Sequence, residues 1–260
     1  MNYLDEILQR KQEEVDTLRE QVGSDPYHPL HHGVKGKGDH AFYRALKEKK
    51  HAVIGEIKRK SPSKGEIDLS LDPVTLAKAY EAGGARALSV LTDEVGFGGS
   101  LKDLMAVREA VSIPILRKDF IIDTVQISEA IHAGADAVLL IVRALGEQLE
   151  EFLEFCNEQG IDALVEVYDE AELHIALEAK TQIIGINHRN LETFEVDITH
   201  SKSLIKRIPE TVVKVAESGI HRAEDAHTLL GYGFDALLIG EALVRSGDPK
   251  KLIGEICDVD

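Results

Sequence analysis

Charged side chains in this chain gather where short apolar runs end. Glu56-Ile57-Lys58 closes the run AVIGEIKR, and Lys118 stands near the end of IPILRKDF. Glu166 lies in ALVEVY, Asn187-His188-Arg189 closes IIGINHR, and Glu217-Ser218-Gly219 closes VVKVAESG. On a strand, side chains two residues apart share a face, so Glu56 points with Lys58 and Asn187 with Arg189. Three carboxylates (Glu56, Glu166, Glu217) and three cations (Lys58, Lys118, Arg189) then converge on one mouth, where their charges nearly cancel. One such charge alone reads as a surface residue or half of a structural ion pair. Six at equivalent ends of five runs are hard to assign to packing, because a buried charge is costly unless paired. Grouped charges also shift one another's pKa values, as acid–base catalysis requires.

The runs belong to a regular series. From His51 onward these five, with ALSVLTD, AVLLIVR and ALLIGEAL, alternate with amphipathic stretches such as DPVTLAKAYEAG, TVQISEAIHAGA and SKSLIKRI. Strict alternation predicts an α/β fold with a parallel sheet, because each helical crossover returns the chain to the same end. The GxGxxG fingerprint of an open doubly wound sheet is absent after the first run. Eight repeats in 260 residues predict a (β/α)8 TIM barrel, a fold of about 250 residues whose reactive groups sit at the C-terminal strand ends. The barrel is expected over residues 51–260. Residues 1–50 are expected to form a helical extension packed on it, the two making one structural domain. Leu4, Ile7, Leu8, Lys11, Val15, Leu18 and Val22 lie near one face of its first helix.

Barrels of this kind hold phosphate with the loops after strands seven and eight. Those loops read Ser218-Gly219-Ile220 and Ile239-Gly240-Glu241. Gly219 and Gly240 let backbone N–H groups approach an anion closely, whereas Glu241 must turn its carboxylate away. The loop RKSPSKGE, with Arg59, Lys60 and Lys64, reads as a mobile flap over an anionic substrate. Phe97, Phe120, Leu139, Ile141 and Leu191 offer an apolar wall for an aromatic ring, although ordinary barrel core competes for the aliphatic ones.

Bulk properties narrow the partners. A formal net charge of -16 argues against nucleic acid or an anionic membrane, while a phosphorylated small molecule needs only a few local donors. No segment approaches the roughly 18 apolar residues of a membrane span, and the opening MNYLDEILQRKQEE has no signal-peptide pattern. A cytoplasmic protein is expected, and a monomer, since no broad apolar patch is legible. Cys156 and Cys257 predict neither a zinc cluster nor a disulfide, and Cys156 reads as a core residue. His28, His31 and His32 lack partners at ligand spacing, so a solvated loop is preferred to a metal site.

The segments IGEIKRKSPSKG, LRKDFIID, ADAVLLIV, LVEV, IGINHRNLETFEVD, KVAESGI and LLIGEALV resemble the indole-3-glycerol-phosphate synthase family, in order across residues 51–245. LDEILQRKQEEV is similar to that family's opening helix. The resemblance implies a lyase of tryptophan biosynthesis needing no cofactor or metal. Its substrate would be 1-(2-carboxyphenylamino)-1-deoxyribulose 5-phosphate, closed to indole-3-glycerol phosphate with loss of carbon dioxide and water. It implies Lys118 as the general acid on the ketone, Glu56 and Glu166 as acid–base carboxylates, and Lys58, paired to Glu56, serving the dehydration. Asn187, Arg189, Glu217 and Ser218 would hold carboxylate and hydroxyl groups; Gly219, Leu238, Gly240 and Glu241 would line the phosphate end. His188 stands where the family commonly has Asn and is expected to face away from the mouth; Glu241 stands where many members have Ser. Two rivals differ in their residues. Phosphoribosylanthranilate isomerase would need a Cys and an Asp at strands one and five, and a phosphate-binding barrel without activity would have no use for Lys118 and Glu166.

Overall fold

The structure, a computed structural model, describes residues 3–32, 35–48, 51–62, 64–190 and 193–257. Two helices, α1 (Tyr3–Ser24) and α2 (Ala41–Lys47), come first. Eight strands follow: β1 (Ala52–Ile57), β2 (Ala87–Leu91), β3 (Ile115–Lys118), β4 (Ala137–Ile141), β5 (Asp162–Val167), β6 (Ile183–Asn187), β7 (Val213–Glu217) and β8 (Ala236–Ile239). They pair in parallel in chain order, and β8 closes onto β1 as a barrel. Around it run α3 (Pro73–Ala82), α4 (Leu101–Ala110), α5 (Thr124–His132), α6 (Leu149–Gln159), α7 (Glu170–Glu178), α8 (Ser201–Leu204), α9 (Ala223–Tyr232) and α10 (Pro249–Cys257). The (β/α)8 expectation from the alternating pattern is met.

The strands are apolar on both faces because both are covered. Val53, Leu88, Leu140, Val165 and Ile184 point outward under the helices. Ile54, Leu116, Leu139, Leu164, Val215 and Leu238 fill the interior. One step of two further along each strand, the inward position is Glu56, Lys118, Ile141, Glu166, Glu217 or Gly240. The same period that packs the interior therefore aims the polar groups at its C-terminal mouth. Side-chain caps start several helices at once after their loops: Asp72 accepts from the Thr75 N–H, Ser100 from Asp103, and Asp123 with Gln126 forms a capping box.

Some elements differ from the sequence expectation. The runs AVLLIVR and ALLIGEAL leave the barrel early and become short helices, Val142–Leu145 and Glu241–Arg245. Ile141 makes the last β4 ladder contact, with Glu166, and Ile239 the last between β8 and β1, with Gly55. SKSLIKRI gives only one α-turn and a 3-10 turn over Ile205–Arg207, cut short because Ile208 precedes Pro209 and such a residue disfavours helix. The connector before α2 is less solvated than expected. Gly36 and Gly38 donate to the carbonyls of Gln159 and Gly160, and His40 Nδ1 lies 2.8 Å from Asp162. Among the described residues no group of three or more His, Cys, Asp or Glu side chains is placed to hold a metal ion, and no described helix is long and apolar enough to cross a membrane. Cys156 is buried, and burial, aided by Asp162, pushes its thiol pKa up to about 12.

Helix α1 lies against the mouth through a buried cation. Lys11 sits among Leu4, Ile7 and Val15 on the inner face and is 1% exposed. Its ammonium lies 2.9 Å from Asp119 and 3.0 Å from Asp93, and donates to Glu14 at 2.7 Å. Arg10 adds a contact of 2.8 Å to Asp93. These two aspartates follow β3 and β2, so one side chain ties α1 to two loops of the rim. Removing one member of a buried ion cluster leaves the rest uncompensated. We expect Lys11→Ala to lose about 3 kcal/mol of stability, read as a lower urea midpoint; an unchanged midpoint would show that the cluster holds nothing together.

Candidate active site

A cavity opens at the C-terminal mouth. It is lined by Glu56, Lys58, Lys118, Glu166, Asn187, Arg189, Glu217, Ser218, Gly219, Leu238, Gly240 and Glu241, with Phe97, Phe120, Leu139 and Ile141 on the apolar side. All the site residues expected from the sequence thus come together except Leu191, which lies outside the described residues.

At its centre is Lys118, the last residue of β3. Its side chain is 16% exposed, and its Nζ stands 3.5 Å from Glu166 Oε2 and 3.7 Å from Glu217 Oε2. Burial works against the ammonium, but the carboxylates of Glu166, Glu217 and Glu56 outweigh it and raise its pKa. Asn187 Nδ2 donates to Glu166 Oε1 at 3.0 Å, and its Oδ1 accepts the Arg189 N–H at 3.0 Å. Across the cavity the Lys58 ammonium contacts the Glu56 carboxylate. Burial alone would raise the Glu56 pKa; Lys58, then Lys118 and Arg189, hold it below the usual carboxylate range.

Glu217 behaves oppositely. Burial and the adjacent Glu166 carboxylate push its pKa well above the ordinary range, against the pull of Lys118. A carboxyl driven toward its neutral form weakens the negative side of the mouth, an effect that a count of residue types does not register.

The loops after β7 and β8 bend sharply. Ser218 and Gly219 have φ of 66° and 80°; only glycine adopts this region freely. A Cβ on Gly219 would also approach Ile198 Cγ2 to 2.7 Å. Gly240 has a second reason to lack a side chain: an added Cβ would overlap the Glu56 carboxylate. Glu241 turns its carboxylate to Arg245, 3.0 Å away along its short helix.

Two readings of the first loop need correction. Arg59 is no free flap cation, since its guanidinium grips Asp103 with two hydrogen bonds of 2.6 and 3.0 Å and the Gly98 carbonyl with a third. Lys60–Ser61 and Gly65–Glu66 pair as a small ribbon, and Ser61 and Pro62 face the cavity instead. The chain reading also missed Tyr3 and Phe194, which line the cavity and meet edge to face, ring centroids 5.2 Å apart. Only the aromatic type of these two residues hinted at a wall; α1 and the loop after β6 meet through the fold.

Fold and mouth together define a (β/α)8-barrel enzyme with ionisable groups gathered at its C-terminal mouth. A family model, indole-3-glycerol phosphate synthase, matches residues 4–256. An indole-3-glycerol phosphate synthase of Rhodococcus jostii is 51% identical over 82% of this chain and 79% of its own. That of Chlorobium phaeovibrioides is 45% identical over 97% and 98%, and that of Bacillus cereus 45% over 99% and 98%. A solved thiamine phosphate pyrophosphorylase from Pyrococcus furiosus shares the fold alone, with a TM-score of 0.60 at 16% identity over 83% of this chain and 95% of that one. The chain belongs to the indole-3-glycerol phosphate synthase family.

His188, between Asn187 and Arg189, faces away from the cavity. It is buried, with Nδ1 at 2.9 Å from the Glu217 carbonyl and Nε2 at 2.7 Å from Ser201 Oγ. Burial brings its pKa from 6.5 down to about 4. The unfolded chain therefore binds a proton that the folded one refuses in this window. The stability is complete above about pH 6.5 and falls, by about 3 kcal/mol in all, as the pH drops to about 4. His188→Asn should lack this part of the pH dependence when unfolding free energy is measured between pH 4 and 7; identical curves would contradict the assignment.

Proposed function

We propose that this chain converts 1-(2-carboxyphenylamino)-1-deoxyribulose 5-phosphate to indole-3-glycerol phosphate, carbon dioxide and water, acting as a cytoplasmic monomer in tryptophan biosynthesis. The observation that carries this reading is the Lys118 ammonium held between Glu166 and Glu217, in one cavity with the Lys58–Glu56 pair.

Ring closure joins the carboxylate-bearing ring carbon to the ketone carbon, and the ketone oxygen must gain a proton as its π bond breaks. Lys118 is the donor, as a charged acid that its carboxylate neighbours keep protonated. The bond to the carboxylate then breaks, carbon dioxide leaves and the electron pair restores the aromatic ring. In the last step the new hydroxyl departs as water with a proton from Lys58, while Glu166 or Glu56 removes the proton from the neighbouring carbon. The sum takes up one proton per turnover.

Binding follows the same division of the cavity. Phe97 and Phe120, ring centroids 6.2 Å apart, flank the aromatic ring with Leu139. Arg189 and Asn187 meet the substrate's carboxylate and hydroxyl groups. Backbone N–H groups around Ser218, Gly219 and Gly240 receive the phosphate and fix the reacting carbons in register. Glu241, tied to Arg245, leaves that end open.

The chain contains no Trp, so indole fluorescence of the product is readable over the protein. Purified protein given the substrate should generate that emission. Lys118→Ala should lower kcat by about two to four orders of magnitude while circular dichroism shows that the variant is still folded. A folded parent that stays dark rejects the reaction, and undiminished turnover of the variant rejects Lys118 as the acid.

A further inference from the structure

Glu217 lies where a lone carboxylate should not rest. Its side chain is 2% exposed and its Oε1 accepts no hydrogen bond. The charged groups facing it are Glu166 from β5, Lys118 from β3 and Glu56 from β1. Gly185 lets it lie there. This glycine, in the middle of β6, pairs with Glu166 on one side and Val215 on the other, and Glu217 sits one inward step higher beside Asn187. A Cβ on Gly185 would overlap Glu217 Oε1 and press on Leu164 Cδ1 at 3.2 Å. Gly185 has no positive φ and does not line the cavity, so neither backbone geometry nor ligand approach accounts for it.

We infer that Gly185 is a positioning residue: its vacant side-chain position is the berth that holds the Glu217 carboxyl inside the barrel against Glu166, where the pair keeps one proton ready for Lys118. The berth is read from geometry; its use rests on the reaction proposed above. That reaction takes up one proton in each cycle. Once Lys118 has given its proton to the ketone oxygen, its neutral amine faces Glu217 Oε2 across 3.7 Å. The carboxyl proton passes to the amine nitrogen, which is again an ammonium, and Glu217 is left as the carboxylate. A proton from solvent then restores Glu217 before the next turnover. The carboxyl retains its proton in the resting site because burial and the Glu166 charge both disfavour ionisation there.

Infrared difference spectra of the substrate-free enzyme at neutral pH test this directly. The parent should show a protonated-carboxyl C=O band that Glu217→Gln removes. Gly185→Ala should lose or shift the same band, lower kcat by about tenfold or more and change the pH profile of kcat. Where the single Ala variant fails to fold, Gly185→Ala/Glu217→Ala relieves the overlap. Since Gly185 acts through Glu217, this double variant should match Glu217→Ala alone in melting temperature and residual turnover. The inference is overturned by a parent without a Glu217-dependent band. It is equally overturned if Gly185→Ala keeps both the band and kcat, or if Gly185→Ala is as damaging in the Glu217→Ala background. Because the band is read without substrate, it survives or fails independently of whether the protein forms the indole product.

Discussion

An ammonium group cannot remain charged among aliphatic side chains unless opposite charge surrounds it closely. Lys118 is in that position: below it lie Leu116, Leu139, Leu164 and Val215, which fill the barrel interior. Three glutamates from β1, β5 and β7 hold it charged against the loss of water. That arrangement dictates much of the rest of the mouth. Each glutamate must occupy an inward strand position at the same height, which the closed parallel register provides. Each also needs its own partner, found in Lys58 for Glu56 and Asn187 for Glu166. Glu217 has its contact with Lys118 and its place beside Glu166.

The outer side of the same strand end carries a second ionic cluster. Arg117 and Asp119 flank Lys118 in sequence, and their side chains meet each other instead of the reactive carboxylates. Asp119 receives Thr92 at 2.5 Å, Arg117 at 3.2 Å and Lys11 at 2.9 Å. Burial opposes its charge, but Arg117 and Lys11 prevail and bring its pKa down to about 2. One short segment thus faces the reactive carboxylates on one side and anchors α1 on the other. The first helix of the chain braces the residue proposed as the acid, and Tyr3 at its start closes over the cavity.

The strands were legible because each is a continuous apolar run bounded by turn residues, and the mouth because ionisable groups recur at the ends of those runs. Both signals are local. The tether of Arg59 to Asp103 was not legible, since it spans 44 residues and depends on how the ribbon meets α4. Neither were Tyr3 and Phe194, whose meeting is set by the docking of α1. Gly185 escaped notice for a different reason: a glycine within an apolar run has no chemistry of its own, and its use shows only when a neighbour fills the empty place. The raised pKa of Glu217 is a further step removed, being a property of depth and neighbours that residue type does not encode.

Net charge illustrates how far a whole-chain quantity can mislead about a site. The chain carries -16, which would repel a substrate bearing a carboxylate and a phosphate if charge acted as a single sum. It does not, because exposed charges are screened over about 8 Å at physiological salt while groups in a cavity are screened far less. Much of the acid is on outer helices such as α6 and α7, with Glu150, Glu151, Glu158, Glu170 and Glu178 turned to water. Inside the mouth Lys58, Lys118 and Arg189 face Glu56 and Glu166, with Glu217 favouring its neutral form. An anion that reaches the rim therefore meets three cations gathered at close range, whatever the sum over the whole chain.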